Sequence, residues 1–460
     1  MKYIKILIVL CCFASIVSCE KELDLEPQQS IGIGLATATP ENINAILLAA
    51  YDIGRNTSPD NAAPVYNGNY SGYLNISADL LGNTDQVSWN GTFEQLRNIF
   101  NKAIVNDNTN VRTIYSDSYA ILSHVNTVLD NLDKFDDTTE RNRVEGEAKF
   151  LRGLVYFDMV RLFGQQYNSG GGNSQLGVPL VLSPPDVTRA VGRNTVEEVY
   201  TQVLLDLNDA YNTLPDDNGV RADKYAAQSI LARVYLQQSN FTGARDAAND
   251  VLLNSGHSMT TSYDQAFNLD DNPTESIFSW VITNQEGTNI SNIHYATQAL
   301  GGRGGDIAVT QEYLDKFDSA LDQRRNFTYP GEGVSTGLTL TSKHARQYAN
   351  ATPIRIAEMH LIRLECNFRL NSSVGMNPLA EINALRARSL APTIGALTLD
   401  VIWNERELEL AFEGFTLHDY KRTQRNIGGL PYNDNNLVFP IPQSARDRNP
   451  LLQQNPGYSE

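Results

Sequence analysis

The apolar residues of this chain recur mostly three and four positions apart, the period of an α-helix with one face in a core. Thr39 before Pro40 reads as an N-cap followed by proline at the first helical position, with Ile43, Ile46, Leu47 and Ala50 on one face. Asp137-Thr138-Thr139-Glu140 has capping-box form. It opens a helix whose stripe is Val144, Ala148, Leu151, Val155 and Leu162, stopped at Gly164. Thr195-Val196-Glu197-Glu198 opens another, carrying Val199, Val203, Leu207, Ala210 and Leu214 to a stop at Pro215. Helices over 223–238 and 241–254 flank a turn at Ser239-Asn240. Ala357, Leu361, Leu364 and Phe368 form a late stripe, as do Leu408, Ala411, Phe412 and Phe415. Strand-like alternation is scarce.

The pair over 223–254 sets Leu231 and Tyr235 on its first helix against Gly243, Ala244 and Ala248 on its second, near tetratricopeptide spacing. Small residues let the two helices approach, and such hairpins stack because one pair cannot bury both of its faces. Residues 140–164 and 353–389 read as degraded copies, so about four pairs are expected. The fold class predicted is mostly α, with tetratricopeptide-like helical hairpins carrying an irregular, loop-rich insertion lobe. Two stretches break the helical pattern. Residues 55–110 are rich in Asn, Gly, Tyr and Ser and hold Tyr66, Tyr70, Tyr73 and Trp89; residues 256–350 hold Trp280, Tyr295, the loop Gly301-Gly302-Arg303-Gly304-Gly305, and Tyr313. Long insertions in a compact helical protein usually carry its function. The expected organisation is an N-terminal helical region over 40–255 with its loop insertion at 55–110, a variable lobe over 256–350, and C-terminal helices and tail over 351–460.

The first residues change the picture of compartment. Lys2 and Lys5 flank an apolar run from Ile6 to Ala14, and Ile16-Val17-Ser18 precede Cys19. This reads as a secretory signal over 1–18, too short to span a membrane as a mature helix. Ser18-Cys19 resembles the lipobox of bacterial lipoproteins, which implies cleavage before Cys19 and its lipidation, with 19–39 as a polar tether. Of the four cysteines only Cys366 would then remain free, so the exported fold must be held by core burial without disulfides. The formal charge is −17, and removing Lys2 and Lys5 brings it to −19. An acidic surface of this kind repels phosphate backbones and anionic headgroups, which makes nucleic acid a poor partner and leaves membrane attachment to the lipid.

Catalytic signatures are missing from the sequence. The six histidines, at 124, 257, 294, 344, 360 and 418, show no HExxH spacing and no Cys/His cluster. There is no GxSxG elbow, no phosphate loop and no GxGxxG after a strand. The turns Asp216-Asp217-Asn218-Gly219 and Asp270-Asp271-Asn272 lack the full calcium-loop pattern, so no cofactor is expected and only a structural calcium is left open. Asp79 and Asp85 are the best enzymatic lead, since a glycosidase needs two carboxylates about 5–10 Å apart. The stronger reading is that one caps a turn and the other bonds a ligand hydroxyl or solvent. Glu405, Glu407 and Glu409 read as a solvated helix face paired with Arg406.

The insertions suit a polar ligand better than they suit catalysis. Flat aromatics match the C–H faces of sugar rings, and Asn, Asp and Arg match the surrounding hydroxyls. The candidate ligand-binding residues are Tyr70, Tyr73, Asp79, Asn83 and Trp89 in the first stretch, and Trp280, Asn289, Tyr295 and Arg303 in the second. Trp89 and Trp280 would serve equally well as anchors of small cores beneath the loops.

Several stretches together resemble the SusD/RagB family of nutrient-binding lipoproteins. They are CEKELDLEP from Cys19, EAKFLRGLVYFDMVRLFG at 147–164, IRIAEMHLIRLEC at 354–366, INALRAR at 382–388, ERELELAFEGFTLHDYKR at 405–422 and VFPIPQSARDRNPLLQQNPGY at 438–458. Thr416-Leu417-His418 departs from the family, which more often places aromatics there. The resemblance implies helical pairs of tetratricopeptide type, an outer-membrane location through a lipid anchor at the cell surface, and a TonB-dependent SusC-like barrel as transporter partner. It implies capture of oligosaccharide, or in some members peptide, and no enzymatic activity. A helical scaffold without a small-molecule ligand is the remaining alternative. The matching motifs lie in the helices and tail, so the resemblance assigns no ligand-binding residue.

Overall fold

The computed structural model describes residues 32–55, 68–186, 190–269, 271–285 and 287–459. The segment 1–18 expected to be a secretory signal, Cys19, Tyr66 and Asp270 lie outside the described residues.

Local signals set the helix ends. The helix Thr138–Phe163 begins where the Asp137 carboxylate accepts from the amides of Thr139 and Glu140, and it stops at Gly164. The helix Val196–Thr213 begins on a reciprocal capping box between Thr195 and Glu198. Asp223 caps Lys224–Gln237 and Asn240 caps Phe241–Asn254, with Ser239 in the left-handed region at φ 58° between them. Each cap satisfies amide groups that a helix start would otherwise leave without partners.

Eight helices then pack in series. Pro40–Arg55 lies on Thr109–Asp130, followed by Thr138–Phe163, Val196–Thr213, Lys224–Gln237, Phe241–Asn254, Ile356–Arg369 and Pro378–Arg388. Taken in pairs they are four helical hairpins, the tetratricopeptide-like stack that the spacing predicts. The first seven helices share one core, in which Ile43, Leu47, Leu151, Val155, Val203, Leu207, Ile230 and Ala248 are closed to solvent. A smaller core of Leu361, Leu364, Ile382 and Ile402 joins the C-terminal helices. Among the described residues, no helix is long and apolar enough to cross a membrane.

Residues 68–108 depart from the irregular loop expected of them. They contain the helices Leu74–Gly82 and Glu94–Phe100 and the strand β1, Val87–Trp89. Leu74, Ile76, Ala78, Leu80 and Leu81 are all buried, so the surrounding Asn, Gly and Tyr hid a helix enclosed on every side. Five more strands are short: β2 (Ser276–Trp280), β3 (Ile307–Val309), β4 (Thr328–Pro330), β5 (Thr339–Thr341) and β6 (Ala351–Arg355). They form an antiparallel sheet in the order β1-β3-β5-β4 and a β2-β6 pair. The β1–β3 pairing joins the first helical region to the lobe between 256 and 350.

The charged helix Leu399–Leu410 also corrects its reading as a solvated face. Glu405 and Glu409 are closed to solvent. Glu405 accepts from Arg386 Nη1 at 2.7 Å and from Arg324, while Glu409 accepts from Arg388 Nη2 at 2.6 Å. Arg406 turns instead to Asp419, at 2.8 Å. The arginines come from distant segments, which is why a helical wheel drawn on this helix alone misleads. The helix ends at Leu410, and Phe412 turns the chain at φ 65°, so the stripe through Phe415 is not one continuous helix.

Candidate functional site

The first stretch enters the site through Asn83. Its side-chain oxygen accepts from the amides of Gln86 and Val87 at 3.0 and 3.1 Å, and its amide donates to the Val87 carbonyl at 3.0 Å. Asn83 thus turns the chain from the end of helix Leu74–Gly82 into β1. Trp89 lies opposite Ile307 in the β1–β3 register, and Asn90 N–H continues the ladder to the Asp306 carbonyl at 2.7 Å. Gly91 allows the closure that follows. A Cβ there would stand 2.6 Å from Trp89 Cζ2 and 2.7 Å from Asp306 Cγ, inside van der Waals contact.

The second stretch enters through the short helix Ile290–Tyr295 and the glycine loop. Asn289 caps this helix, accepting from Asn292 N–H and donating to the Ala349 carbonyl at 3.0 Å. The loop is strapped to the helix end by Arg303 N–H to the Ile293 carbonyl at 2.8 Å and by Gly304 and Gly305 N–H to the Ala296 carbonyl. Gly304 and Gly305 sit at φ 121° and 73°, a region that side-chain-bearing residues rarely enter. The strap aims Arg303 back at the first stretch. Its guanidinium lies 4.0 Å over the Phe93 ring, with Nε 3.2 Å from Asp306 Oδ2 and Nη2 donating to Thr92 Oγ1 at 3.2 Å.

These strands and loops collect three partly exposed rings, Tyr73, Trp89 and Phe93, around the enclosed imidazole of His294. The ring centroids lie 6.0, 6.4 and 5.8 Å from it. His294 Nδ1 is 2.9 Å from Asp306 Oδ2. The result is a set of flat apolar faces bordered by the half-buried guanidinium of Arg303 and the exposed Asn90, with the Asp306 carboxylate buried beneath them. Such a surface stacks on apolar ring faces and exchanges hydrogen bonds at its rim.

The other sequence candidates fall elsewhere. Trp280 is only 2 % exposed and Tyr70 stacks on it with centroids 4.8 Å apart, both inside the main core. They hold the β2 strand against the helices and do not reach the platform face. Tyr295 and Asp79 are also enclosed: the tyrosine hydroxyl donates to the carboxyl at 3.3 Å, and Gly414 N–H donates to it at 3.0 Å. Burial pushes the Asp79 carboxyl up to about 8, so it is protonated at neutral pH. Asp85 faces a different setting, paired with Lys316 Nζ at 2.8 Å. A second, polar cleft opens beside the same short helix, where Asn289 and Ser291 face Asn75, Lys343 and Arg346. Among the described residues no three His, Cys, Asp or Glu side chains converge as a metal site. Sequence reasoning missed Phe93, His294, Asp306 and Gly91. A signal was present in Trp89-Asn90-Gly91-Thr92-Phe93, an aromatic pair straddling a glycine.

A family model described as SusD family matches residues 201–433, just over half of the chain. The chain belongs to the SusD family. A second SusD-like model, described as "Starch-binding associating with outer membrane", matches residues 56–236, the stretch that carries Trp89. The chain is 25 % identical to SusD-like protein P2 of Formosa agariphila, over 84 % of this chain and 88 % of that one. It shares its fold with a SusD superfamily protein of Bacteroides thetaiotaomicron, with TM-score 0.82, 24 % identity, and coverage of 91 % of this chain and 100 % of that one. A laminarin binding SusD-like protein superimposes with TM-score 0.72 and 23 % identity, over 91 % and 100 % of the two chains. The SusD-like helical fold expected from the motifs is therefore shown, and the family is one of carbohydrate-binding proteins associated with the outer membrane.

Proposed function

We propose that this SusD-family chain is a lipid-anchored, surface-exposed receptor that holds an oligosaccharide on the platform of Tyr73, Trp89 and Phe93 and delivers it to a TonB-dependent SusC-like transporter. The observation that carries this reading is the gathering of Tyr73, Trp89 and Phe93 around His294 at the β1–β3 junction, beside the Arg303–Asp306 pair. Aromatic faces receive the C–H faces of sugar rings, and the charged rim hydrogen-bonds hydroxyls. Cys19 supplies the anchor in this reading, and two or more acyl chains hold a protein at a membrane where one does not.

Binding is the role the platform suits. Its carboxylate, Asp306, is engaged by both His294 and Arg303, and Asp79 and Asp85 sit in separate surroundings. Titration calorimetry of the full chain carrying Cys19→Ala against laminari-, malto-, manno- and xylo-oligosaccharides and a peptide panel tests the reading. Saturable binding of an oligosaccharide that Trp89→Ala weakens is the expected result. Binding of peptides alone, or of nothing, refutes it.

A further inference from the structure

Two nitrogen atoms at the back of the platform, Trp89 Nε1 and His294 Nε2, are buried and have no hydrogen-bond partner among the described residues. Their chemistries are complementary. Indole Nε1–H only donates. The His294 Nδ1 atom lies 2.9 Å from a carboxylate oxygen, which accepts, so the neutral ring carries its proton on Nδ1 and a bare lone pair on Nε2. Arg303 Nε reaches the same Asp306 oxygen and supplies its counter-charge. A donor and an acceptor without partners thus stand on rings whose centroids are 6.4 Å apart, beside the partly exposed Tyr73 and Phe93.

We propose that Trp89 Nε1–H and His294 Nε2 form a socket for one ligand hydroxyl, which accepts from the indole and donates to the imidazole. The inference rests on the platform being the oligosaccharide site and names the group it selects. An ether oxygen or a carboxylate can only accept, and an ammonium can only donate; a free hydroxyl does both. Trp89 is partly exposed and His294 enclosed, so the route from solvent to the socket runs past the indole. His294 is then the specificity-determining residue, and Asp306 with Arg303 positions it by fixing the tautomer. Trp280 Nε1 also lacks a partner, but it lies in the core under Tyr51 and Tyr70, where no ligand face reaches it.

The test uses the full chain with Cys19→Ala and whichever oligosaccharide of the calorimetric panel binds. His294→Phe keeps a flat ring and removes the acceptor, and Trp89→Phe keeps the stacking face and removes the donor. Each should weaken binding about tenfold, and the double variant should be little weaker than either single one, because both nitrogens serve the same hydroxyl. His294→Gln, whose amide can donate to Asp306 and accept from a hydroxyl, should keep most of the affinity. In a ¹⁵N spectrum the Trp89 indole resonance, assigned as the one missing in Trp89→Phe, should shift when the oligosaccharide is added. This readout stands even if His294→Phe fails to fold. Additive losses, unchanged affinities or an unmoved Trp89 indole overturn the socket while leaving the platform intact. Failure of every oligosaccharide to bind overturns the platform reading as well.

Discussion

Trp280 and Trp89 look alike in the sequence, each on an Asn- and Tyr-rich stretch, but Trp280 is enclosed in the core while Trp89 is partly exposed, and the proposed function gives them opposite roles. Trp280→Ala separates those roles most sharply. The Trp280 ring is stacked on Tyr70 at 4.8 Å, meets Phe278 edge-on at 5.3 Å and Tyr51 at 5.7 Å. It also fills the space over Gly54, where a Cβ would stand 2.6 Å from Cζ3. Truncating an enclosed indole removes its transfer free energy and leaves a cavity, a loss of about 3–5 kcal/mol. The three aromatic neighbours place the expected value in the upper half of that range, because each ring pair adds about 0.5–1.5 kcal/mol beyond its buried area. Against a total stability on the order of 5–15 kcal/mol, that is a large fraction.

The assay is guanidinium unfolding followed by far-ultraviolet circular dichroism, run beside Trp89→Ala. Trp280→Ala should lower the midpoint strongly, and the variant that remains folded should bind oligosaccharide with wild-type affinity. Trp89→Ala should do the reverse, losing about 1–3 kcal/mol of binding with a much smaller shift in the midpoint. An unchanged midpoint for Trp280→Ala together with lost binding would refute the assignment of this ring to the core.

Three further outcomes follow from the geometry. Because burial lifts the Asp79 carboxyl to about 8 while the unfolded chain ionises near 3.8, unfolding releases its proton between those pH values, and stability falls as pH rises through that window. At ~1.4 kcal/mol per pH unit, the wild type should lose about 3 kcal/mol from this group between pH 5 and pH 7, and Asp79→Asn should lack that slope in urea titrations at several pH values. Glu405→Ala takes one carboxylate from each of Arg324 and Arg386, which keep Asp322 and Asp318, so the melting curve should report a loss of about 1.5–3 kcal/mol, the worth of a hydrogen bond to a charged group. Gly91→Ala should push on Trp89 and Asp306 and weaken oligosaccharide binding about tenfold in calorimetry, roughly 1.4 kcal/mol, with little change in melting temperature.

What could be read from the sequence was whatever is decided within a few residues. The caps at Asp137, Thr195, Asp223 and Asn240 and the stops at Gly164 and Pro215 are local, and the helices start and stop close to them. The platform is not local. It depends on a three-residue pairing between strands more than two hundred positions apart, too short for any periodicity to announce. Trp280 did carry a warning: Ile277, Phe278, Trp280 and Ile282 make a nearly continuous apolar run, the pattern of a strand buried on both sides, and all five residues of β2 are buried. No such run surrounds Trp89.

The buried charges show a deeper limit. Glu405, Glu409 and Glu413 look like solvated residues until their partners are known. Arg324, Lys343 and Arg355 come from the region between 256 and 355, and Arg386 and Arg388 from the last hairpin. An enclosed carboxylate is tolerable only when several donors surround it, so these pairs constrain how the variable lobe seats on the helices more than they add stability. Arg355 alone reaches Glu275, Glu409 and Glu413. Replacing one partner leaves the others buried and unmatched, which ties the joint together as a unit. The proposed ligand face lies outside that unit, on β1, the glycine loop and the Phe93 turn. The family-like motifs lie in the helices and tail, and they fix the fold without reaching the platform of Tyr73, Trp89 and Phe93.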